Sequence, residues 1–324
     1  MVVVIHGGVH GSCEINPPSM KNKKMHLCLY ASEAAAIVGK NPYQTPFSIL
    51  MKVWKRYHHG ADFAAARARL AEQCGVAEAQ VSSREDAVAN LIQTVPALQE
   101  SLHVLENKVV THETSLPEAL EEARRATEKA EAEMMKGTTT KNINTAEVVK
   151  LVQSRIKCAY GQTQEKVSVA RLGDVEENNA TFFMKELWTS QNGRIVVSLG
   201  GKIDGKRRAQ SANPACGRLI EIKNRKSRFM TPLPEYDIIQ VHCYLFLQDE
   251  TEIDVIEHLP DGREKTTAVV WKPELWRTVQ DGLVRFARML YVVINTEEWQ
   301  DRALGCITLE DETAVFDDLC KHVG

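Results

Sequence analysis

The chain has 324 residues, of which 40 are lysine or arginine and 43 are aspartate or glutamate, giving a formal net charge of −3. This balance excludes a global positive field of the kind that attracts nucleic acid, and the hydrophobic fraction of 44% makes whole-chain disorder improbable. No apolar run approaches the roughly 18 residues that a membrane-spanning helix needs, so we expect a soluble, intracellular protein without a membrane partner.

The first elements in chain order are a leader and a compact segment. Residues 1–24 contain glycines, prolines and a short basic run, which predict a flexible leader. The compact segment covers 25–60, with helices predicted at 31–38 and 46–57. Between them, an Asn-Pro dipeptide disfavours continuation of the first helix.

The segment 61–146 is rich in alanine, glutamate and leucine, which favour helix most strongly. Within it, apolar residues recur at alternating spacings of four and three, as in a coiled coil or helical hairpin: Leu91, Val95, Leu98, Leu102, Leu105 and Val109. Ser115 and Glu118 have the spacing of a capping box and predict the start of a second helix. We expect an inserted helical hairpin. It would mediate self-association, giving a homo-oligomer, or bind a partner protein, or pack back on the core as a lid.

After residue 146, helical and strand-like segments are intermixed. Periodicity predicts helices at 147–172, 233–247 and 273–294. Length and β-branched content predict strands at 194–199, 219–223, 252–259 and 267–271. The sequence therefore predicts an α/β core formed by 25–60 and 147–300, with 61–146 inserted and 301–324 as a C-terminal segment.

The most informative stretch runs from Gly200 to Asp204 and is followed by Glu221-Ile222-Lys223. Residues two apart in a strand point to the same face, so Glu221 and Lys223 should project together. Asp204 follows a strand, beside glycines that would let the backbone turn sharply. Two carboxylates brought together there would form a hard oxygen site for magnesium. The alternative is a purely structural role for these residues, in a surface turn followed by an exposed strand edge.

Further blocks accompany these residues in a fixed order. They are Tyr30-Ala31-Ser32 at a helix start, a Gly39 to Tyr43 turn, Gly161 to Glu165, and Gln240 to Tyr244. With Asp204-Gly205 and Glu221-Ile222-Lys223, the set resembles the YqaJ-type viral recombinase and lambda exonuclease branch of the PD-(D/E)XK nuclease superfamily. The resemblance covers 27–57 and 155–247, and Ile203 stands where the family has proline.

The resemblance implies a restriction-endonuclease-like core, with a central mixed β-sheet flanked by helices, that carries the helical hairpin as an insertion. It also implies hydrolysis of phosphodiester bonds assisted by one or two Mg²⁺ ions, for which Mn²⁺ can substitute. The implied metal ligands are Glu165, Asp204, Glu221 and the backbone carbonyl of Ile222.

Three further side chains have roles implied by the resemblance. Lys223 would position and activate the attacking water, which suits a lysine whose pKa is lowered in a cationic site. Gln240 would form a hydrogen bond near the lysine or the phosphate. Ser32 would contact a DNA phosphate, although a plain helix cap is an equally good interpretation of that serine.

The local charge around the candidate carboxylates is strongly basic. Nine basic and two acidic residues lie between Lys202 and Arg228. Such a band would bind a phosphate backbone without reading bases, and a solvated basic loop is the alternative. The candidate DNA-binding residues are Ser32, Lys202, Lys206, Arg207, Arg208, Arg225, Lys226 and Arg228.

The leading hypothesis is a magnesium-dependent DNA exonuclease that acts in viral or phage-type recombination. It would resect duplex ends so that a single-strand annealing partner can load. A viral protein of this kind would act in the host cytoplasm or nucleus. The same core also serves structure-selective endonucleases and RNA-cleaving nucleases. A non-catalytic DNA-binding or assembly protein is the alternative of another class.

Overall fold

The structure is a computed structural model, and it describes residues 24–75, 96–111, 113–134, 145–172, 175–177, 181–207, 217–306 and 308–324. The chain divides into two compact units. The first comprises Met1–Val81 with Asp174–Gly324, and the second is Ser82–Gly173.

The bounds of the elements in the described residues follow. The strands are β1 (Met25–Tyr30), β2 (Val175–Glu177), β3 (Phe183–Thr189), β4 (Ile195–Gly201), β5 (Gly205–Arg207), β6 (Leu219–Asn224), β7 (Glu252–His258) and β8 (Glu264–Val270). The helices are α1 (Ala31–Ile37), α2 (Pro46–Arg56), α3 (Ala61–Cys74), α4 (Pro96–Val110), α5 (Leu116–Met134), α6 (Thr145–Leu172), α7 (Glu235–Gln248), α8 (Pro273–Asn295), α9 (Glu297–Leu304) and α10 (Leu309–Val323).

The strands of the first unit form two mixed sheets. One has the order β1-β4-β3, with β4 parallel to β1 and antiparallel to β3. The other has the order β2-β5-β6-β7-β8, in which β6 and β7 are parallel and the other neighbours antiparallel. The expected α/β fold with mixed sheets flanked by helices is confirmed. In the described residues the chain crosses between the two sheets after β4, which ends at Gly201, and returns to the second sheet at Gly205.

The core of the first unit follows from the two periodicities of strand and helix. In β1, Met25, Leu27 and Leu29 are buried and the intervening residues point outward, as the alternation of a strand requires. In α8, Trp276, Val279 and Leu283 are buried at helical spacing, and Pro273 stands in the first turn.

One predicted boundary of the first unit was wrong. Residues 61–74 were expected in the insertion, but Phe63 of α3 packs edge to face on Trp54, with ring centroids 4.9 Å apart, in the main core. Arg69 of α3 also binds Asp301 of α9, 2.5 Å between Nη2 and Oδ1. The predicted C-terminal segment, 301–324, also contributes to this core, in which Leu319 of α10 is buried.

The second unit contains three packed helices in its described residues, α4, α5 and α6. Four residues of the predicted seam are buried, namely Leu98, Leu102, Leu105 and Val109, while Leu91 and Val95 lie outside the described residues. The capping box at the start of α5 is confirmed, because the Glu118 N–H donates to Ser115 Oγ at 3.4 Å and the Ser115 N–H donates to Glu118 Oε2 at 3.1 Å. The helix predicted at 147–172 was assigned to the nuclease core. It instead packs in this unit, where its Val152 and Ile156 complete the apolar cluster.

Within the described residues, no helix combines the length and the apolarity needed to cross a bilayer.

Candidate active site

Asp204 lies where the ladder between β5 and β6 ends. The strands pair Gly205 with Ile220, and one residue beyond this pair the Asp204 Oδ2 accepts the backbone N–H of Ile222 at 2.7 Å. The side chain thus takes the place of a backbone acceptor that the short β5 does not supply. The sequence prediction that Asp204 and the Glu221-Ile222-Lys223 strand come together is consistent with this bond.

Glu221 and Lys223 project from the same face of β6, as their spacing predicts. The Lys223 Nζ donates to Glu221 Oε1 at 2.8 Å, and Glu221 is buried. Ile220 and Ile222 are also buried, as their apolar side chains require. An acid and a lysine are therefore held together at the centre of a five-stranded sheet, in contrast to the exposed strand edge considered above.

Helix α7 covers this face of β6 with polar side chains at helical spacing. The Gln240 Oε1 accepts from Lys223 Nζ at 2.7 Å, and the Gln240 amide Nε2 donates to the Tyr244 hydroxyl at 2.8 Å. The Asp237 Oδ1 lies 3.5 Å from the same lysine nitrogen. Asp237 was missed in the sequence, although its spacing of three from Gln240 places both on one helix face.

The electrostatics of Lys223 differ from the sequence expectation. Burial alone would lower the pKa of Lys223, but the Glu221 and Asp237 carboxylates and the more distant Asp204 outweigh it, so this pKa lies above its ordinary value. The protein's own charged groups around the ammonium are carboxylates from β6, α7 and the β4–β5 connection. Lys223 is therefore a cation at neutral pH.

The burial of Tyr244 also bears on the site. Burial, followed by the charges of Glu221 and Asp204, holds the pKa of the Tyr244 hydroxyl well above its usual range. The hydroxyl is thus neutral and accepts a hydrogen bond from the Gln240 amide. Gln240 is in this way fixed at both ends of its side chain, between Tyr244 and Lys223.

The glycine pair before Asp204 permits close packing. Gly200 and Gly201 lie within β4, in extended backbone, so the sharp turn expected there is wrong. A Cβ atom at Gly201 would lie 3.0 Å from the Tyr244 ring and 3.2 Å from the Ala31 Cβ. Gly201 therefore lets the helix that carries Tyr244 approach the strand that leads to Asp204.

The predicted metal ligands are only partly described. Asp204, Glu221 and the Ile222 peptide lie together, and their oxygens are the hard donors that Mg²⁺ prefers. Among the residues that the structure describes, no group of three or more His, Cys, Asp or Glu side chains is placed to hold a metal ion. Glu165 lies on α6 in the second unit, and its side chain is outside the described part.

Much of the predicted basic band is engaged in ion pairs. The Arg207 Nε lies 3.1 Å from Asp254 Oδ2, and the Lys206 Nζ lies 3.0 Å from Glu250 Oε1. The Arg225 side chain is only 11% exposed and contacts two buried carboxylates. Acids from α7, β7 and the connection between them therefore neutralise residues that were expected to bind phosphate.

The remaining members of the band and Ser32 differ in exposure. Lys202, Lys226 and Arg228 are exposed, whereas Arg208 lies outside the described residues. Ser32 is exposed in the first turn of α1. The helix-cap interpretation of Ser32 is wrong, because the N-cap position is Tyr30, whose N–H donates to Glu33 Oε2 at 3.3 Å.

An ion pair between Glu33 of α1 and Arg56 of α2 was not predicted from the sequence. The Arg56 guanidinium binds both Glu33 oxygens at 2.7 Å, donates to the Cys28 carbonyl at 3.0 Å and stacks 4.0 Å from the Tyr30 ring centroid. Burial opposes ionisation of Glu33, yet hydrogen bonds and charge from Arg56, aided by Lys52, hold its pKa below the ordinary value. The pair ties α1 to α2 and to the end of β1.

Comparisons with known proteins find matches among solved structures. No family model matches the chain. No curated protein sequence matches it. Among solved structures, the alkaline exonuclease LHK-Exo from Laribacter hongkongensis is similar at 16% identity, covering 55% of this chain and 84% of that chain with a TM-score of 0.32.

Two further solved structures show the same degree of likeness. LHK-Exo in complex with dAMP has 16% identity, 61% and 90% coverage and a TM-score of 0.32. The protein SSO0001 has 18% identity, 50% and 77% coverage and a TM-score of 0.31. At these values we derive neither an activity nor a residue role from the three structures.

Proposed function

We propose that the chain is a metal-dependent deoxyribonuclease of the PD-(D/E)XK type that hydrolyses phosphodiester bonds at duplex ends. One observation carries the proposal: Lys223 and Glu221 are 2.8 Å apart on the centre of β6, and Asp204 is bound 2.7 Å away to the intervening Ile222 N–H. Two carboxylates and a lysine converge in the order of that superfamily's motif, which is the constellation that metal-assisted hydrolysis of phosphate esters needs.

Asp204, Glu221 and the Ile222 carbonyl would hold the metal. Oxygen donors of this kind suit one or two Mg²⁺ ions, with Mn²⁺ as a substitute. When bound, the metal would polarise the scissile phosphate and stabilise the charge on the leaving oxygen.

Lys223 would act on the substrate as a cation. Held by Glu221 and Gln240, it would donate hydrogen bonds that position the attacking water or the phosphate. Gln240 accepts from Lys223 and is itself held by Tyr244. We therefore assign Gln240 to holding the ammonium in its orientation.

The exposed members of the basic band are the proposed phosphate contacts. Lys202, Lys226 and Arg228 are exposed on either side of the carboxylates along the chain, and Ser32 is exposed at the start of α1. Contacts of this type bind the DNA backbone without sequence preference. Lys206, Arg207 and Arg225 are left out of this set, because carboxylates engage them.

The biological setting remains the one predicted from the resemblance. A nuclease that resects duplex ends would serve viral or phage-type recombination, with a single-strand annealing protein as its partner. Cleavage of closed circles or of RNA would instead indicate the endonuclease or RNA-cleaving members of the same superfamily, and binding without cleavage would indicate an assembly protein.

The test is a substrate panel. Purified protein is incubated with end-labelled linear duplex, closed circular duplex, single-stranded DNA and RNA, each with Mg²⁺ and with EDTA. The proposal predicts Mg²⁺-dependent release of nucleotides from the linear duplex and intact closed circles. Equal digestion of circles would overturn the exonuclease assignment, and digestion in EDTA would overturn the metal requirement.

A further inference from the structure

A second buried carboxylate stands beside Lys223 and has no role in the proposed metal site. Asp237 of α7 is 3% exposed, and its Oδ1 lies 3.5 Å from the lysine nitrogen. The ammonium therefore faces Glu221 on its own strand, with Gln240 and Asp237 on the covering helix. These three groups approach it from two different elements and fix its direction.

Asp237 is itself fixed from the side opposite the lysine. The Arg225 Nη2 donates to Asp237 Oδ2 at 2.6 Å, and the Arg225 Nε donates to Glu257 Oε1 at 2.6 Å. Glu257 is fully buried on β7, where the register places it beside Lys223, and it also accepts the Met230 N–H at 3.1 Å. The result is a connected row of alternating charges, Glu221, Lys223, Asp237, Arg225 and Glu257.

The geometry of Arg225 separates this row from a simple buried salt bridge. An arginine and a carboxylate commonly pair through two parallel hydrogen bonds, which is the stronger arrangement. Here Arg225 divides its donors between Asp237 and Glu257. Asp237 directs one oxygen to Arg225 and the other toward Lys223.

We propose that Asp237 is a positioning residue that holds the Lys223 ammonium in its working orientation, with Arg225 and Glu257 fixing Asp237 from behind. This inference rests on the proposed function, because the lysine's orientation matters only if it acts on a substrate. Asp237 would not touch DNA, so its loss should affect the chemical step and leave substrate binding unchanged.

The decisive variant is Asp237→Asn, which keeps the size of the side chain and removes its charge. The matched control is Asp254→Asn on β7. Asp254 is also 3% exposed and also paired with arginines, Arg207 at 3.1 Å and Arg218 at 3.0 Å. Both variants remove one buried carboxylate that is paired with arginine, so both should lower the unfolding temperature.

The measurement is kcat and KM on end-labelled linear duplex with Mg²⁺, at a temperature where circular dichroism shows every variant folded. Asp237→Asn should lower kcat by about ten- to a hundredfold at unchanged KM, since small displacements of a working group have effects of this size. Asp254→Asn should keep kcat within about twofold of the wild type. An equal decrease in kcat in both variants would overturn the inference. A change in the KM of Asp237→Asn at unchanged kcat would overturn it too.

Asp237→Glu decides the question if Asp237→Asn does not fold. It keeps the charge but lengthens the side chain, so kcat should fall between those of the wild type and Lys223→Met. A kcat equal to that of the wild type would contradict a positioning role. An inactive wild type would overturn the proposed function together with this inference, whereas an active wild type with an unaffected Asp237→Asn overturns this inference alone.

Discussion

Asp204 and Ile222 are joined by a 2.7 Å hydrogen bond in which the carboxylate accepts the backbone N–H. The bond lies one residue past the Gly205–Ile220 pair that ends the β5–β6 ladder. Asp204 is therefore oriented by the strand that carries Glu221 and Lys223. This bond gives Asp204 a structural role that can be separated from its proposed role as a metal ligand.

Asp204→Asn separates the two roles, because its amide oxygen can still accept the Ile222 N–H while the negative charge is lost. The free energy of unfolding should change by less than about 1 kcal/mol. Cleavage should fall by about a hundredfold or more. In thermal unfolding, Mg²⁺ should stabilise the wild type but not the variant, since a ligand that binds the native state raises its stability. Asp261→Asn, an exposed change, is the control, and equal Mg²⁺ stabilisation of Asp204→Asn would refute the ligand assignment.

Gly201→Ala should damage the site through packing. Its Cβ would lie 3.0 Å from the Tyr244 ring, so Tyr244 and the Gln240 bound to it must move. We expect a loss of about 1 to 3 kcal/mol in the free energy of unfolding, together with reduced cleavage. At Gly200 the nearest atoms belong to the exposed Phe182 ring, at 2.5 Å, and to Cys28, whose Sγ is 2.9 Å away, and neither residue belongs to the Tyr244–Gln240–Lys223 row of hydrogen bonds. Gly200→Ala should therefore keep more activity, and the reverse order in an activity assay would contradict this account.

The Glu33–Arg56 pair should make stability depend on acid pH. The pKa of Glu33 is lowered from 4.5 in the folded protein, so the pair contributes stability that is complete above this value and is lost as the pH falls through the folded pKa. Glu33→Gln should cost about 2 kcal/mol at neutral pH, and the difference from the wild type should shrink below pH 4.5 in urea unfolding.

Glu235→Gln is the control for the Glu33 experiment. It removes an ion pair between exposed side chains, 3.2 Å from Lys40, so it should change the free energy of unfolding by at most about 1 kcal/mol. A pH-independent difference between Glu33→Gln and the wild type would argue against a lowered pKa of Glu33.

The helical second unit should depend on its buried seam. Leu102→Ala removes a buried side chain and should destabilise the unit by about 2 to 5 kcal/mol. Val104→Ala, two residues away, changes a side chain that is 42% exposed and should have a small effect. The loss of helical signal during thermal unfolding measures the stability of both variants. Equal effects of the two variants would show that the seam residues do not form this unit's core.

Local spacing was sufficient to predict several parts of the site. Two residues of separation in a strand place Glu221 and Lys223 on one face, whereas Gln240 was assigned to the site through the family resemblance. The capping box of Ser115 and Glu118 was equally local. Each of these features depends on residues close together in the chain, so their sequence patterns were informative.

The remainder depends on pairing between distant segments. The parallel register of β6 and β7 sets Glu257 beside Lys223, and the same sheet brings Asp254 to Arg207. The sequence of the basic band does not reveal these acidic partners, Glu257 and Asp254. The positive charge available to DNA was therefore overestimated. The same applies to α3, which is helical as predicted but packs through Phe63 on Trp54 of the main core.

The central claim is that Lys223 acts together with Asp204 and Glu221 on a phosphodiester bond. The most direct measurement compares Mg²⁺-dependent cleavage of end-labelled linear duplex by Lys223→Met and Lys185→Met. Lys185 is the matched control, because it is also a buried lysine that donates to a carboxylate, that of Asp249. The account predicts that Lys223→Met loses cleavage by about a hundredfold or more, while folded Lys185→Met retains it. Undiminished cleavage by Lys223→Met would contradict the account.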